Sequence, residues 1–265
     1  MWGIVPAAGR GSRIQPLAFS KELLPVGRRG VGADVRPCAV SEYLIERMVC
    51  AGVDKLAFVI GPGKSDILNY YGGEYESATI AYLVQPSPAG LCDAIFRAAP
   101  LLDDGPVLIG LPDTIWFPRE GFAALPDDDL SFLLFPVARP DLFDAVLMNE
   151  QGRVMAIEVK RPGDPSRWVW GAIKTPAKVF HELHRLWNER ERRDEYFGTL
   201  VNAYLAQGGE AVGVRGGESY VDVGTLDGYR SAIRMLDRPA SDEECAPDVV
   251  AIAGSVGVPP RSSVE

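Results

Sequence analysis

Histidine is almost absent. The 265 residues hold two, His181 and His184, in one helical stretch. A multi-histidine zinc centre is thereby excluded, and little material is left for a histidine-based triad. The four cysteines, Cys38, Cys50, Cys92 and Cys245, are scattered and form no C-x-x-C pair. That spacing removes zinc-ribbon and dithiol chemistry and points to a reducing cytoplasm. No apolar run approaches the roughly 20 residues that cross a bilayer, so no membrane is expected. The start, MWGIVPAAGRG, has no basic region before its short apolar run, so no signal peptide is expected either. Positive charge is in deficit, with 27 Lys+Arg against 36 Asp+Glu and a net charge of −9. Such a chain is not expected to take nucleic acid as its main partner, and a polyanionic ligand would need a local basic pocket. Neither G-x-G-x-x-G nor a P-loop occurs. The chemistry is left to carboxylates, lysines, arginines and backbone amides.

What is present is an ordinary folding composition, 47% hydrophobic and 24% charged. The first 110 residues alternate strand and helix. Strands are predicted at Trp2–Pro6, Leu56–Ile60, Thr79–Val84 and Pro106–Gly110, and helices at Val40–Ala51, Lys64–Tyr71 and Gly90–Ala99. That order predicts an α/β, Rossmann-like fold: a mixed, mainly parallel sheet sandwiched by helices. Further strands are expected at Leu130–Val137, Ala145–Met148, Arg153–Val159, Trp168–Ile173, Ala211–Val214 and Ser219–Val223. The remaining helices are Pro176–Arg193, Phe197–Ala206 and Leu226–Leu236. One domain, 1–238, should be followed by an irregular tail, 239–265, rich in Pro, Ser, Asp and Glu.

The segment PAAGRGSRIQPLAFSKELLPV follows the first strand directly. Gly9 and Gly11 let backbone N–H groups approach a phosphate, at the sheet edge where open α/β folds bind ligands. Arg10, Arg13 and Lys21 concentrate three cations in one loop of an acidic chain, which suits a triphosphate. A solvated loop with incidental basic residues accounts for the glycines and a lone arginine equally well. Asp113 follows the strand Pro106–Gly110, where a carboxylate can hold a metal near phosphates. Gln85 can read a pyrimidine edge through its amide, or cap the helix after it. Asp222 can bind metal or cap Leu226–Leu236, although Thr225 is better placed for the cap.

Read together, these strings resemble the sugar-1-phosphate nucleotidylyltransferases, a family that includes glucose-1-phosphate thymidylyl- and uridylyltransferases. Gly9, Gly11, Ser12, Arg13, Pro16, Ser20, Lys21, Leu23, Leu24, Pro25 and Val26 match its loop signature. Gln85–Ala94, LPDT around Asp113, IEVKRP around Lys160, Gly171 in WVWGAIK, and YVDVGT around Asp222 resemble its later landmarks in order. The resemblance implies that Ala8, Gly9, Gly11, Ser12, Gln85 and Gly90 bind nucleotide, with Arg13 and Lys21 on its phosphates. It implies that Glu158, Lys160 and Gly171 hold the sugar phosphate, and that Asp113 and Asp222 bind one Mg²⁺. Departures are Ala8 for a glycine, Leu111-Pro112 before Asp113, Val159 where a glutamate usually precedes the lysine, and the pair Trp168 and Trp170. Arg161 is inserted before Pro162, so either Lys160 or Arg161 can be the phosphate ligand.

The implied reaction joins a nucleoside triphosphate, dTTP or UTP, to a sugar 1-phosphate and expels pyrophosphate. Arg13, Lys21 and Lys160 are the expected catalytic cations. Two other readings stay open on the sequence: a cytidylyltransferase for a non-sugar alcohol phosphate, and a non-catalytic nucleotide-sugar-binding regulator. A homo-oligomer is compatible with all three readings.

Overall fold

The structure, a computed structural model, describes residues 1–160 and 166–237. The tail 239–265 and Arg161 lie outside the described residues. In chain order the elements are β1 (Trp2–Ala7), β2 (Pro25–Arg29), β3 (Arg36–Ala39), α1 (Val40–Cys50), β4 (Lys55–Ile60), α2 (Ser65–Tyr71), β5 (Glu74–Tyr75), β6 (Ala78–Val84), α3 (Gly90–Phe96) and β7 (Pro106–Gly110). Then come β8 (Thr114–Phe117), β9 (Leu130–Pro136), β10 (Asp144–Met148), β11 (Val154–Val159), β12 (Trp168–Pro176), α4 (Ala177–Glu189), α5 (Phe197–Ala206), β13 (Ala211–Val214), β14 (Ser219–Asp222) and α6 (Leu226–Leu236).

Ten strands form one sheet, β11-β10-β12-β7-β1-β4-β6-β5, with β9 beside β12 and β13 beside β9. Its centre, β7-β1-β4-β6, is parallel throughout. Strands β7, β1 and β4 are buried on both faces, so they read as near-continuous apolar runs, while β6 is only half-buried. The expected mixed α/β sheet is therefore present, with antiparallel pairings around β12, in the β10-β11 hairpin and at the β5 edge.

Alternating strand residues sort into two cores. Ile4, Ile109, Phe132 and Leu134 pack with α3, α4 and α5 on one face. Val5, Leu108, Leu133 and Phe135 pack with α1 and α2 on the other. Period-2 alternation at the sheet thus decides which helices cover which face. The amphipathic stripe of α4 buries Phe180, Leu183, Leu186 and Trp187. A third, smaller core joins Leu24 and Val26 to Ala232 of α6. Thr225 caps α6, its hydroxyl accepting from Gly228 N at 3.0 Å. That releases Asp222 from the capping alternative.

Candidate active site

The four parallel central strands end side by side, and each delivers a candidate site residue just past its end. Strand β1 leads to Ala8, β4 to Gly61, β6 to Gln85 and β7 to Asp113. Ligands of open α/β sheets sit at this edge because backbone groups and helix termini are free there. Two clefts open here. The first, about 580 Å³, is lined by Ala8, Arg10, Ser20, Lys21, Gly61, Lys64, Asp66 and Gln85, among others. The second, about 280 Å³, is lined by Arg13, Gly90, Asp113, Asp144, Lys160, Trp170, Tyr196, Tyr220 and Asp222, among others.

The boundary between the clefts is ionic. Lys21, from the first, is paired with Asp113, from the second. Burial alone would lower the Lys21 pKa, but Asp113, with Glu22 and Asp222 behind it, raises it above the ordinary lysine value. Burial pushes the Asp113 carboxyl up, while Lys21 outweighs that and holds it below the usual range. Beside this pair, Arg13 meets Asp222 at 3.2 Å. The Arg13 side chain is 61% exposed, so the second pair adds little stability.

Gly224 marks where these groups converge. A Cβ there would lie 2.7 Å from Asp222 Oδ1, 3.0 Å from Arg13 Nη2 and 3.3 Å from Asp113 Oδ2. Backbone holds the two aspartates together, since Val223 N donates to Asp113 O at 2.8 Å. Two hard carboxylates drawn to one glycine, with Asp222 Oδ1 also accepting from Gly224 N at 2.7 Å, are a donor set that suits Mg²⁺, which keeps several waters and takes its remaining oxygens from phosphates. Among the described residues, no group of three or more His, Cys, Asp or Glu is placed to cage a metal, so an all-protein cage of the zinc or calcium kind is absent there.

The loop after β1 is built rather than slack. Gly11 has φ +65°, and a side chain there would press on Lys21, so only glycine fits without strain. Gly9 meets nothing within 4 Å of a notional Cβ, and Ser12 is exposed. Ser20 is pinned from α2: its N and Oγ both donate to the Asp66 carboxylate, at 2.6 and 2.8 Å. Beneath it, Lys64 donates to Ala7 O at 2.6 Å and to both Glu22 oxygens at 2.8 Å. Lys64, Glu22 and Asp66 escaped the sequence reading. The glycine-rich Gly61-Pro62-Gly63-Lys64 after β4 was the one signal that could have exposed them.

In the second cleft, Lys160 has a positive φ of 44°. That conformation is unusual for a lysine and common at functional turns. Its ammonium lies 4.6 Å from the Tyr196 ring centre. Glu158, paired with Ala145 in the hairpin, does not line either cleft. Asp144, paired with Val159, does line the second, and the sequence reading missed it. Among the described residues, Asp144 Oδ1 and Trp170 Nε1 are buried without a hydrogen-bond partner. Burial raises the Asp144 pKa, and Lys160 with the nearby Trp170 N–H only partly offsets it. A buried carboxylate oxygen in a cleft wall with no hydrogen-bond partner is a place for a ligand's donor.

The glycines have packing roles as well. Gly90 has φ +88°, and its notional Cβ would lie 2.7 Å from Glu195 Cα. Gly171 sits at the β12–β9 register shift, where a Cβ would strike Tyr220 and Phe135. It lines neither cleft, but the bulge lies next to Trp170, which lines the second.

The fold and its paired clefts define a nucleotide-binding α/β protein with an anion-handling centre at the sheet's carboxyl edge. The chain belongs to the nucleotidyl transferase family, whose model matches residues 2–238. It is 25% identical to a glucose-1-phosphate thymidylyltransferase of Neisseria meningitidis, over 89% of this chain and 82% of that protein. It is 27% identical to a UTP–glucose-1-phosphate uridylyltransferase of Haloferax volcanii, over 87% of this chain and 90% of that one. A UTP-bound UGPase structure from Acinetobacter baumannii shares the fold, with a TM-score of 0.69 at 21% identity, over 88% of this chain and 92% of that chain.

Proposed function

We propose that this protein transfers a nucleoside monophosphate from dTTP or UTP to a sugar 1-phosphate and releases pyrophosphate. The observation that carries the reading is the Lys21–Asp113 pair bridging the two clefts, with Arg13, Asp222 and Lys160 around it. A triphosphate in the first cleft and a phosphorylated acceptor in the second would meet at that pair. The relatives' names, thymidylyl- and uridylyltransferase, support the sugar phosphate. The cytidylyltransferase and regulator alternatives are not favoured by them.

The acceptor phosphate oxygen attacks the α-phosphorus, and the bond from that phosphorus to the β-phosphate oxygen breaks. A phosphate monoester is mostly dianionic at neutral pH, its second pKa being about 6. No general base is needed, which agrees with a site that contains no histidine. Catalysis is then positioning and charge neutralisation. Arg13 and Lys21 take charge on the leaving pyrophosphate, and Lys160 holds the acceptor phosphate. Asp113 and Asp222 would hold Mg²⁺, which supplies charge neutralisation at the α-phosphate when bound. Among the described residues no helix is long and apolar enough to cross a membrane. The scattered cysteines are the ground on which we place the enzyme in the cytoplasm.

A matrix of nucleoside triphosphates against sugar 1-phosphates, read by pyrophosphate release with Mg²⁺ present, tests this. Turnover should concentrate on dTTP or UTP with a hexose 1-phosphate. Asp222→Asn should cost at least about a hundredfold in turnover, the scale of one strong electrostatic contact. No pyrophosphate from any pairing would remove the reading.

A further inference from the structure

Gln85 is 4% exposed, and the orientation of its amide is decided by what holds it. Its Nε2 donates to Asp93 Oδ2 at 2.7 Å and to Gly90 O at 3.1 Å. An amide nitrogen has two hydrogens, so both are spent inside the protein. Asp93 is fixed in turn by Arg97, whose Nε and Nη2 donate to its two oxygens at 2.9 and 3.1 Å. Rotating the Gln85 amide by half a turn would set its Oε1 against the Asp93 carboxylate and the Gly90 carbonyl, acceptor against acceptor. Gln85 also lines the first cleft. What it has left to offer a ligand there is Oε1, an acceptor only.

From this geometry we infer that Asp93 is a positioning residue for base selection: it holds Gln85 as a pure acceptor, so the first cleft favours a pyrimidine with an N3–H donor over cytosine, whose N3 is an acceptor. The inference rests on the first cleft being the triphosphate site. It assigns a job to an acid that touches no substrate and lies within α3. Without Asp93 only the Gly90 carbonyl, at 3.1 Å, would hold the amide nitrogen inward, and the two base types would be less well told apart. Polar mismatch at a buried contact is what makes such discrimination large.

Two measurements test it. In the first, kcat/KM is compared for UTP and CTP with glucose 1-phosphate, in the wild-type chain and in Asp93→Asn. In that variant Arg97 competes for the one remaining oxygen, so the amide nitrogen can turn towards Gln85. The wild-type preference for UTP should be at least about tenfold and should narrow to about threefold or less. An unchanged ratio, or an equal loss on both nucleotides, overturns the role of Asp93. In the second, calorimetry on the wild-type chain compares UTP with N3-methyl-UTP, which needs no variant to fold. The methyl analogue should bind at least about tenfold more weakly. Equal binding of UTP, CTP and the analogue overturns the inference while leaving the triphosphate site in place. Failure of UTP and dTTP to bind at all removes the functional reading beneath it.

Discussion

Asp144 keeps a carboxylate where the fold gives it too little. Its Oδ1 has no hydrogen-bond partner among the described residues, and burial raises its pKa against the pull of Lys160 and Trp170. A carboxyl whose folded pKa lies above its unfolded one, about 3.9, costs stability once it is ionised. The cost is full above the folded pKa, shrinks as pH falls through that value, and is gone below the unfolded one. A buried polar group left unpaired costs about 1–3 kcal/mol. Such a cost is expected where a sugar hydroxyl is to be received, because the ligand completes the bond. Asp144→Asn should therefore melt a few degrees higher at about pH 8, since 1 kcal/mol shifts a domain of this size by roughly 2–4 °C. The gain should fade as pH approaches about 4. The same variant should bind glucose 1-phosphate at least about fivefold more weakly, with UTP binding unchanged. Thermal scans across pH and separate titrations of the two ligands check both halves. A variant less stable than the wild type at neutral pH would show that the carboxylate supports the fold.

Among the elements, the regular alternation up to Gly110 was legible because each buried strand is a short apolar run closed by a turn. Their boundaries agree with the structure to within one or two residues, except that α3 ends at Phe96 and gives way to a 3₁₀ turn at Ala99–Leu101. The ladder β2–β3 was not legible, since VGRRGVGADVRP carries the Gly and Arg of a loop and the strands pair only with each other. Strand β8 was missed because its partner, β14, lies about a hundred residues on, and period says nothing of so distant a pairing. The same division holds at the site. Lys21, Arg13, Asp113 and Asp222 stand in loops or at strand ends, where charge is conspicuous. Asp144 and Asp93 sit at the start of a strand and inside a helix, where an acid looks like a solvated face. Gly90 shows how an element is steered into place. It opens α3 at φ +88° against the Glu195 backbone, and Leu91 N donates to Glu195 O at 2.8 Å. An alanine there meets both the left-handed penalty, about 1–2 kcal/mol, and a steric clash with main chain. Gly90→Ala should lower stability by about 2 kcal/mol or more. In urea titrations the midpoint should fall with an unchanged slope. A midpoint within error of the wild type would mean that the 195 segment yields easily.

At the scale of the whole molecule, the last described helix packs on the loop that carries Lys21. Strand β1 lies at the centre of the sheet, and α6 closes the small core against Leu24 and Val26 on the loop that carries Lys21. Tyr229 of α6 donates to Pro25 O at 3.1 Å. Removing α6 would therefore loosen the cation loop as well as expose apolar surface. The residues after Asp237 are predicted to be dispensable for the chemistry. Every residue placed there lies between Ala8 and Asp222, and the family match ends at residue 238. From Arg238 onward the sequence has two arginines, Arg238 and Arg261, no lysine, and five acids, a poor composition for holding phosphates. Truncation after Asp237 should keep kcat/KM within about threefold, under about 1 kcal/mol of transition-state energy. The truncated chain should also unfold in a single transition at a melting temperature near that of the full chain. Truncation after Thr225, which removes α6, should abolish both activity and cooperative melting. Steady-state kinetics and calorimetric melting on the two truncations separate the possibilities. If the longer one lost activity at an unchanged melting temperature, a residue beyond 237 would act at the site. If it lost both, the folded unit would extend past α6.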